Sequence, residues 1–385
     1  MSQSRLTSSP PLLSELLDRE PSNATNRRTF FGQASTLGLF VGGAALTGCL
    51  SKDEPSAAAR AGDSGKAAPA GAQLQNPNSK LDTALHGEMS AGAAIPSTVA
   101  TGASVAFHRY DPALPPLSRE RTIRLHWRAQ EVPVRISQDT TVAAWTFEGS
   151  LPGPIVHCRV GDTVEFTLTN EHVVPHSMDF HAAQIDPQVA FRSVMKGQSV
   201  TFTFRPKWAG AFMYHCGSSP VLMHIGAGMY GAIVVSPAEP LPPAKEFVLV
   251  QSELYLGNAD ASGIRAFDYE KMLSTVPDFV VFNGRPLQYA NEPIRVNVGD
   301  RVRFWLVNCG PTHPCSFHVV GEQFDTVYLG APPGSQIRGV QTWGVAAGGG
   351  MCFELVCDVA GEFPFVNHGF GHGQKGTIGF LSVKT

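Results

Sequence analysis

The feature of this sequence that most restricts its fold is an internal repeat. The segment "VGDTVEFTLTN" at residues 160–170 matches "VGDRVRFWLVN" at residues 298–308 in seven of eleven positions, at an offset of 138. A second pair of similar segments follows in the same order, "AGAFMYHC" at 209–216 and "AGEFPFVNH" at 360–368. A repeat of this kind indicates two copies of one structural unit.

The repeated segment has the pattern of a β-strand. Apolar and polar residues alternate in it, so that Val164, Phe166 and Leu168 share one face. This period of two is typical of a half-buried strand, and the body of the chain has no long segment with the helical period. The 39 glycines and 29 prolines supply the turns that many short strands need. We therefore predict an all-β protein built from two tandem β-sandwiches.

Composition divides the chain into four predicted segments. Residues 1–49 form an export signal, residues 50–104 are rich in Ala, Gly, Ser and Pro and form a disordered tether, and residues 105–238 and 239–385 form the two domains. The Pro-rich stretch 236–246 is the predicted linker between the domains. The net charge of −3 indicates neither nucleic-acid binding nor a polybasic membrane surface.

The first 49 residues resemble a targeting signal. The twin arginines Arg27 and Arg28 precede an apolar stretch, which is typical of proteins exported in the folded state. The sequence "LTGC" that ends at Cys49 resembles a lipoprotein processing site. We expect a periplasmic protein lipidated at Cys49 and thereby held at a membrane. A cleaved signal with a chance cysteine and a short membrane anchor are the alternatives.

The seven cysteines do not form a CxxC pair or a dense disulfide framework. Cys309 and Cys315 flank a loop and could be bridged. Cys158 is most simply a small buried residue.

Two segments of the first repeat concentrate residues that bind metals. They are "PHSMDFHAAQ", which begins at Pro175, and "YHCGSSPVLMHIGAGM", which runs from Tyr214 to Met229. Because neighbouring residues on a strand point to opposite faces, these side chains separate into two groups. The inner group is His176, Cys216, His224 and Met229, and the outer group is Asp179, His181 and His215.

The two groups predict different chemistry. Two imidazoles, a thiolate and a thioether are the ligands of a blue-copper electron-transfer site. The outer group has only two histidines, and His368 in the second repeat is the predicted third ligand. Three imidazoles with one open position describe a catalytic metal site. His313 and His372 are more simply surface or loop residues.

The motifs "PHSMDFHAA", "YHC", "MHIGAGMYGAI", "VVFNG", "SFHVVGEQFD" and "VNHGF" together resemble those of copper-containing nitrite reductases. The resemblance covers about residues 105–385. It implies two tandem cupredoxin-like Greek-key domains and two copper ions per subunit. The type 1 copper would be held by His176, Cys216, His224 and Met229, and the type 2 copper by His181, His215 and His368. It also implies a homotrimer, with each catalytic copper between two subunits.

The resemblance further implies the reaction of nitrite with one electron and two protons to give nitric oxide and water. Asp179 and His318 would be the catalytic proton carriers, with Gln341 and Thr342 orienting His318. The electron would come from a separate donor protein, a cytochrome c or a small cupredoxin, and would pass from Cys216 to His215.

The sequence departs from the family pattern at two positions. Val320 replaces the more common isoleucine of the substrate pocket, and Ser177 replaces the usual asparagine beside the type 1 ligand His176. We expect Ser177 to alter the hydrogen bonding at the inner site.

Two other functions are alternatives for this sequence. A laccase-like multicopper oxidase needs about eight histidines, largely in HxH pairs, and this sequence contains no HxH. A blue-copper electron-transfer lipoprotein would need only the inner group. A carrier of this kind has no use for Asp179, His318 or His368.

Overall fold

The computed structural model of the protein describes residues 105–385, together with Ser97 and Val99. The predicted export signal, the lipidation site Cys49 and nearly all of the predicted tether lie outside the described residues. Within the described part of the chain, no helix is both long and apolar enough to cross a membrane.

The first half of the described chain contains eight strands and two short helices. The strands are β1 (Thr122–Arg135), β2 (Thr141–Phe147), β3 (Val156–Arg159), β4 (Thr163–Asn170), β5 (Asp179–Phe180), β6 (Ser199–Phe204), β7 (Gly210–His215) and β8 (Tyr230–Ser236). The helices are α1 (Pro187–Ala190) and α2 (Val221–Gly226).

The second half contains thirteen strands and three short helices. The strands are β9 (Lys245–Leu254), β10 (Leu256–Ala259), β11 (Ile264–Phe267), β12 (Phe279–Phe282), β13 (Ile294–Asn297), β14 (Arg301–Asn308), β15 (Cys315–Val319), β16 (Thr326–Tyr328), β17 (Gln336–Ile337), β18 (Thr342–Val345), β19 (Gly350–Val356), β20 (Gly361–Asn367) and β21 (Ile378–Lys384). The helices are α3 (Tyr269–Leu273), α4 (Gln288–Asn291) and α5 (Phe370–Gly373).

These strands form four sheets. Strands of the first half make up the sheet β3-β8-β7-β5 and most of the sheet β10-β11-β2-β1-β4-β6, to which the second half adds β10 and β11. The other two sheets, β12-β9-β14-β19-β16-β17 and β13-β21-β20-β15-β18, consist of strands of the second half. Non-consecutive strands lie side by side, with β1 parallel to β4 and β9 parallel to β14. The predicted all-β, cupredoxin-like fold is confirmed.

The repeated segment forms equivalent strands with different surroundings. In β4, Val164, Phe166 and Leu168 are fully buried and the residues between them are partly exposed. In β14, every residue after Arg301 is buried. Strand β14 lies between β9 and β19, and its side chains contribute to two apolar clusters, one on each face.

The domain boundary at residues 238/239 stays a prediction. Residues 237–244, between β8 and β9, form no helix or strand. Just beyond them, β11 pairs in parallel with β2 and so extends a sheet of the first half. All six cysteines in the described residues are free and buried, so Cys309 and Cys315 are not bridged.

Candidate metal centres

The inner group is assembled from three consecutive parts of the first half. His176 precedes β5 and pairs with Val194 in an isolated bridge, Cys216 directly follows β7, and His224 lies in α2. Two main-chain hydrogen bonds hold the loop that connects Cys216 to Met229. Cys216 N–H donates to Met229 O at 3.1 Å, and Met229 N–H donates to His224 O at 3.1 Å. The backbone therefore brings these ligands together.

Three side chains of the inner group, those of His176, Cys216 and His224, converge at one point. His176 Nδ1 and His224 Nδ1 lie 3.1 Å apart, and Cys216 Sγ lies 3.7 Å and 3.3 Å from them, respectively. These three residues and Met229 have no solvent exposure. Two imidazole nitrogens and a sulfur at this spacing fit one soft metal ion, and the donor set suits copper.

The Cys216 sulfur is surrounded by serine residues. Ser177 N–H donates to Cys216 Sγ at 3.4 Å, and the Ser177 hydroxyl accepts from Gly217 N–H at 3.1 Å and from the Ser218 hydroxyl at 3.2 Å. Burial raises the pKa of the Cys216 thiol, and the hydrogen bonds from Ser177 and Ser218 act in the opposite direction. The predicted influence of Ser177 on this site thus has a structural basis, although its side chain acts through the loop after Cys216.

The outer group lies on the other side of the same strands. Asp179 and His215 are paired residues of β5 and β7, and His181 begins the turn after β5. His215 Nε2 and His181 Nε2 are 3.1 Å apart, and Asp179 Oδ2 lies 3.5 Å from the first and 3.6 Å from the second. These are the three residues that the sequence placed together.

Hydrogen bonds fix which ring nitrogens face each other. His181 Nδ1–H donates to Gly348 O at 3.1 Å, and His215 Nδ1–H donates to Cys216 O at 2.8 Å. Both Nε2 atoms therefore carry lone pairs. Two lone pairs that face each other at 3.1 Å suit a shared cation, since a metal ion binds imidazole nitrogen at roughly 2 Å. The residues present thus fit a metal ion at the outer group as well.

Burial also changes the acid–base properties of the outer group. It raises the pKa of the Asp179 carboxyl, an effect that the nearby His215 and His181 oppose. Burial lowers the pKa of the His215 imidazole. A carboxyl group that retains its proton to higher pH, next to two imidazoles, is suited to proton transfer.

The second half contains a related pair of histidines. Phe317 of β15 pairs with Asn367 of β20, and His368 N–H then donates to Ser316 O at 2.7 Å. This register places His368 opposite Ser316, as His215 lies opposite Asp179 in the first half. The structure therefore supports the predicted equivalence of His215 and His368, although His368 lies just beyond the end of its strand.

His318 and His368 line a separate hollow. Their ring centroids are 5.4 Å apart, and the hollow of about 450 Å³ is also lined by Ser316, Gln341, Thr342 and Gly369. His318 Nδ1–H donates to Gln341 O at 2.5 Å, and Thr342 is its partner across β15 and β18. Gln341 and Thr342 therefore both lie next to His318. Val320 is 37% exposed and is not among the residues that line this hollow.

Within one chain, the structure does not bring His368 to the outer group. Among the described residues, the groups of His, Cys, Asp and Glu whose ligand atoms lie within 4.8 Å of one another are His176–Cys216–His224 and Asp179–His181–His215. Both belong to the first half. His313 and His372 form a different pair, with ring centroids 4.6 Å apart and His313 Nε2–H donating to Thr275 O.

One step of the sequence reasoning was wrong although its result agrees with the structure. The division into two groups assumed a regular strand from His176 to His181. Strand β5 contains only Asp179 and Phe180. His176 and His181 are placed instead by the bridge to Val194 and by hydrogen bonds to β7, where His181 N–H donates to Met213 O at 3.0 Å.

Sequence reasoning missed three residues around the inner group. His172 contacts the Nε2 atom of His176, which faces away from the inner group, and Glu131 lies next to the other ring nitrogen of His172. Trp145 packs against the rings of His172, His176 and His224. The only signal in the sequence was a further histidine four residues before His176. The contacts of Glu131 and Trp145 depend on sheet pairing, which local sequence does not reveal.

Comparison with known proteins agrees with this geometry. A sequence family described as "Multicopper oxidase" matches residues 128–240. A copper-containing nitrite reductase of Neisseria meningitidis is 37% identical over 285 residues, which are 71% of this chain and 73% of that protein. The chain belongs to the copper-containing nitrite reductases.

Solved structures of such reductases have the same fold. A copper nitrite reductase from Nitrosomonas europaea superimposes with a TM-score of 0.64 at 35% identity, over 69% of this chain and 94% of that chain. A copper-containing nitrite reductase from Thermus scotoductus gives a TM-score of 0.63 at 29% identity, over 68% of this chain and 62% of that chain. Copper-containing nitrite reductases thus match this chain in sequence and in structure.

Proposed function

We propose that this protein reduces nitrite to nitric oxide with one electron and two protons, which also gives water. The observation that carries the proposal is that Cys216 and His215 are adjacent in the chain but belong to two different ligand groups. The bonds from the Cys216 side chain through the main chain to the His215 ring connect the groups. An electron delivered to the inner group thus has a covalent route to the outer group.

We assign a type 1 copper to His176, Cys216, His224 and Met229, and a type 2 copper to His181, His215 and His368. The enclosed inner group has no room for substrate, whereas the outer group includes the partly exposed His181. Copper, when bound, supplies Lewis acidity and a one-electron redox couple. Electron entry and substrate binding are therefore assigned to separate sites.

We assign the first proton transfer to Asp179. Its carboxylate lies 3.5 Å and 3.6 Å from the two Nε2 atoms that face the outer site, and burial raises its pKa. A protonated carboxyl at this position can donate to the oxygen that leaves nitrite as water. The resulting carboxylate lies beside two imidazoles, which limits the cost of its charge.

The third imidazole and the second proton carrier come from a neighbouring subunit in our proposal. The outer group has two histidines, and His368 and His318 line a hollow elsewhere on the same chain. A ring of subunits, with the first half of each against the second half of the next, would supply the missing ligand. We propose that this head-to-tail ring is a homotrimer. The hydrogen bond from His318 Nδ1 to Gln341 O leaves its Nε2 for proton transfer.

The laccase-like and carrier alternatives explain less. A trinuclear oxidase site needs HxH pairs, which the sequence lacks. An electron carrier needs no second group of the kind that Asp179, His181 and His215 form. Nitrite reduction uses both groups.

We further propose that the protein is exported through the twin-arginine route, lipidated at Cys49 and held at a membrane facing the periplasm. A separate cytochrome c or small cupredoxin would deliver the electron. The export and anchoring proposals rest on residues 1–49, with the twin arginines Arg27 and Arg28 and with Cys49. Metabolic labelling with palmitate tests the anchor, since Cys49→Ala would lose the label while export continues.

The test of the main proposal combines copper content with turnover. The copper-loaded protein is expected to contain two copper ions per subunit and to form nitric oxide from nitrite with an artificial reductant. Asp179→Asn should retain both copper ions and lose most of this activity. A protein with both sites filled that forms no nitric oxide would contradict the proposal, and four copper ions per subunit would favour the oxidase.

A further inference from the structure

A second histidine stands directly behind the inner ligand His176. His172 Nδ1 lies 2.9 Å from His176 Nε2, and the two rings meet edge to edge in nearly parallel planes, with centroids 5.1 Å apart and an angle of 11° between the planes. His172 is 4% exposed. A hydrogen bond of this length between buried rings is a specific contact and not a consequence of crowding.

The direction of the hydrogen bond follows from the ligand geometry. His176 Nδ1 faces Cys216 Sγ and His224 Nδ1, so it carries the lone pair and its Nε2 carries the proton. His176 Nε2–H therefore donates to His172 Nδ1. His172 must then carry its own proton on Nε2.

That second proton points toward a buried carboxylate. His172 Nε2 lies 3.7 Å from Glu131 Oε2, and both side chains are 2% exposed. This separation is a close electrostatic contact and is too long for a hydrogen bond. Because both side chains are buried, the attraction is stronger than at a protein surface. Glu131, His172 and His176 thus lie in a row that runs from the Glu131 carboxylate to His176 Nδ1, the nitrogen that faces the inner group.

The fold holds this row in place. Glu131 of β1 pairs with Trp145 of β2, and the Trp145 ring packs edge-on against His172 at 5.1 Å and His176 at 5.6 Å. His172 N–H donates to the Asn170 side-chain oxygen at 2.8 Å. The position of His172 is thus fixed by packing on one side and by a main-chain hydrogen bond on the other.

We infer that Glu131 and His172 are positioning residues that tune the inner copper through His176. An acceptor behind a ligating imidazole fixes its orientation and increases its basicity. A more basic ligand and a buried negative charge both stabilise the oxidised metal relative to the reduced metal. The pair should therefore lower the reduction potential of the inner site. This inference rests on the proposed assignment of a type 1 copper to His176, Cys216, His224 and Met229.

The test measures the reduction potential of the copper-loaded protein through its blue absorption. Glu131→Gln removes the charge and keeps the shape, and His172→Phe keeps an aromatic ring at this position and removes the acceptor. Both are expected to shift the potential to more positive values, His172→Phe by more. Glu165→Gln is the matched control, because it removes a carboxylate from neighbouring β4 whose side chain is 42% exposed. The control should leave the potential unchanged.

Two outcomes would overturn the inference. One is a potential in Glu131→Gln equal to that of the wild type, with full copper content and an unchanged thermal unfolding temperature. The other is an equal shift in the Glu165→Gln control. If His172→Phe fails to fold, Glu131→Gln decides alone. A wild-type protein without blue absorption would refute the proposed inner copper itself, which distinguishes that failure from failure of the tuning role.

Discussion

Mixed oligomers provide a sharp test of where the outer site is formed. The proposal places His181 and His215 of one subunit with His368 of the next. His181→Ala and His368→Ala each leave every outer site one imidazole short. Each variant alone is therefore expected to lose the outer copper and nitrite reduction while it retains the blue absorption of the inner group.

Co-expression of the two variants should restore part of the activity. In a closed ring, every outer site combines the first half of one subunit with the second half of its neighbour. With equal and random assembly, about half of the sites receive an intact first half, and, independently, about half receive an intact second half. About one quarter of the sites are therefore complete. Activity and outer copper should both return to about one quarter of the wild-type level.

The control pair is His181→Ala with His215→Ala. Both changes lie in the first half, so no mixed ring contains a complete site, and the expected activity is none. Native mass spectrometry establishes that mixed oligomers are present in both preparations. If the His181→Ala and His368→Ala mixture is as inactive as this control although mixed oligomers are present, the site is not shared between subunits and the reasoning fails.

Three other predictions concern single residues. Cys216→Ser should abolish the blue absorption and leave one copper per subunit, measured by metal analysis; loss of both ions would show that the two groups do not bind independently. Ser177→Ala leaves the buried Gly217 N–H without its acceptor at 3.1 Å, so the free energy of unfolding of the metal-free protein should fall by about 1–3 kcal/mol in urea titrations. No change within error would contradict this account. Glu354→Gln removes the carboxylate that lies 2.6 Å from the 2% exposed Arg303, while Glu246 remains at 3.0 Å from the guanidinium, so we expect a loss of about 1.5–3 kcal/mol by the same titration. A loss of about 3–5 kcal/mol would mean that Glu246 does not compensate the Arg303 charge.

Much of the candidate site could be predicted from the sequence because its ligands are close together in the chain. The four inner ligands fall between His176 and Met229, and the spacing of Cys216, His224 and Met229 matches a single loop. The ligand atoms of His176, Cys216 and His224 lie close together, as do those of Asp179, His181 and His215, which is the grouping that the sequence predicts. The reason given for that grouping, a regular strand, was wrong, since β5 is only two residues long and other contacts orient His176 and His181.

The contacts behind the ligands could not be predicted. Glu131 lies on β1, and it reaches His172 because β1 pairs with β2 and with β4. Nothing in the local sequence of Glu131 distinguishes it from an exposed strand residue. The sequence also did not decide whether Cys309 and Cys315 form a disulfide. In the fold they are separate buried thiols.

The two copies of the repeat illustrate the division between sequence and tertiary structure. The alternation of apolar residues by itself determined that residues 163–170 and 301–308 are strands, because period two is a property of the extended backbone. It could not determine that one strand has a partly exposed face and the other is buried on both. That depends on which surface covers each strand: the second face of β14, with Trp305 and Val307, packs into the apolar cluster of the first half. Burial is a property of the whole packed chain. The same is true of the buried ion pair between Arg303 and Glu354 and of the contacts that connect Glu131, His172 and His176.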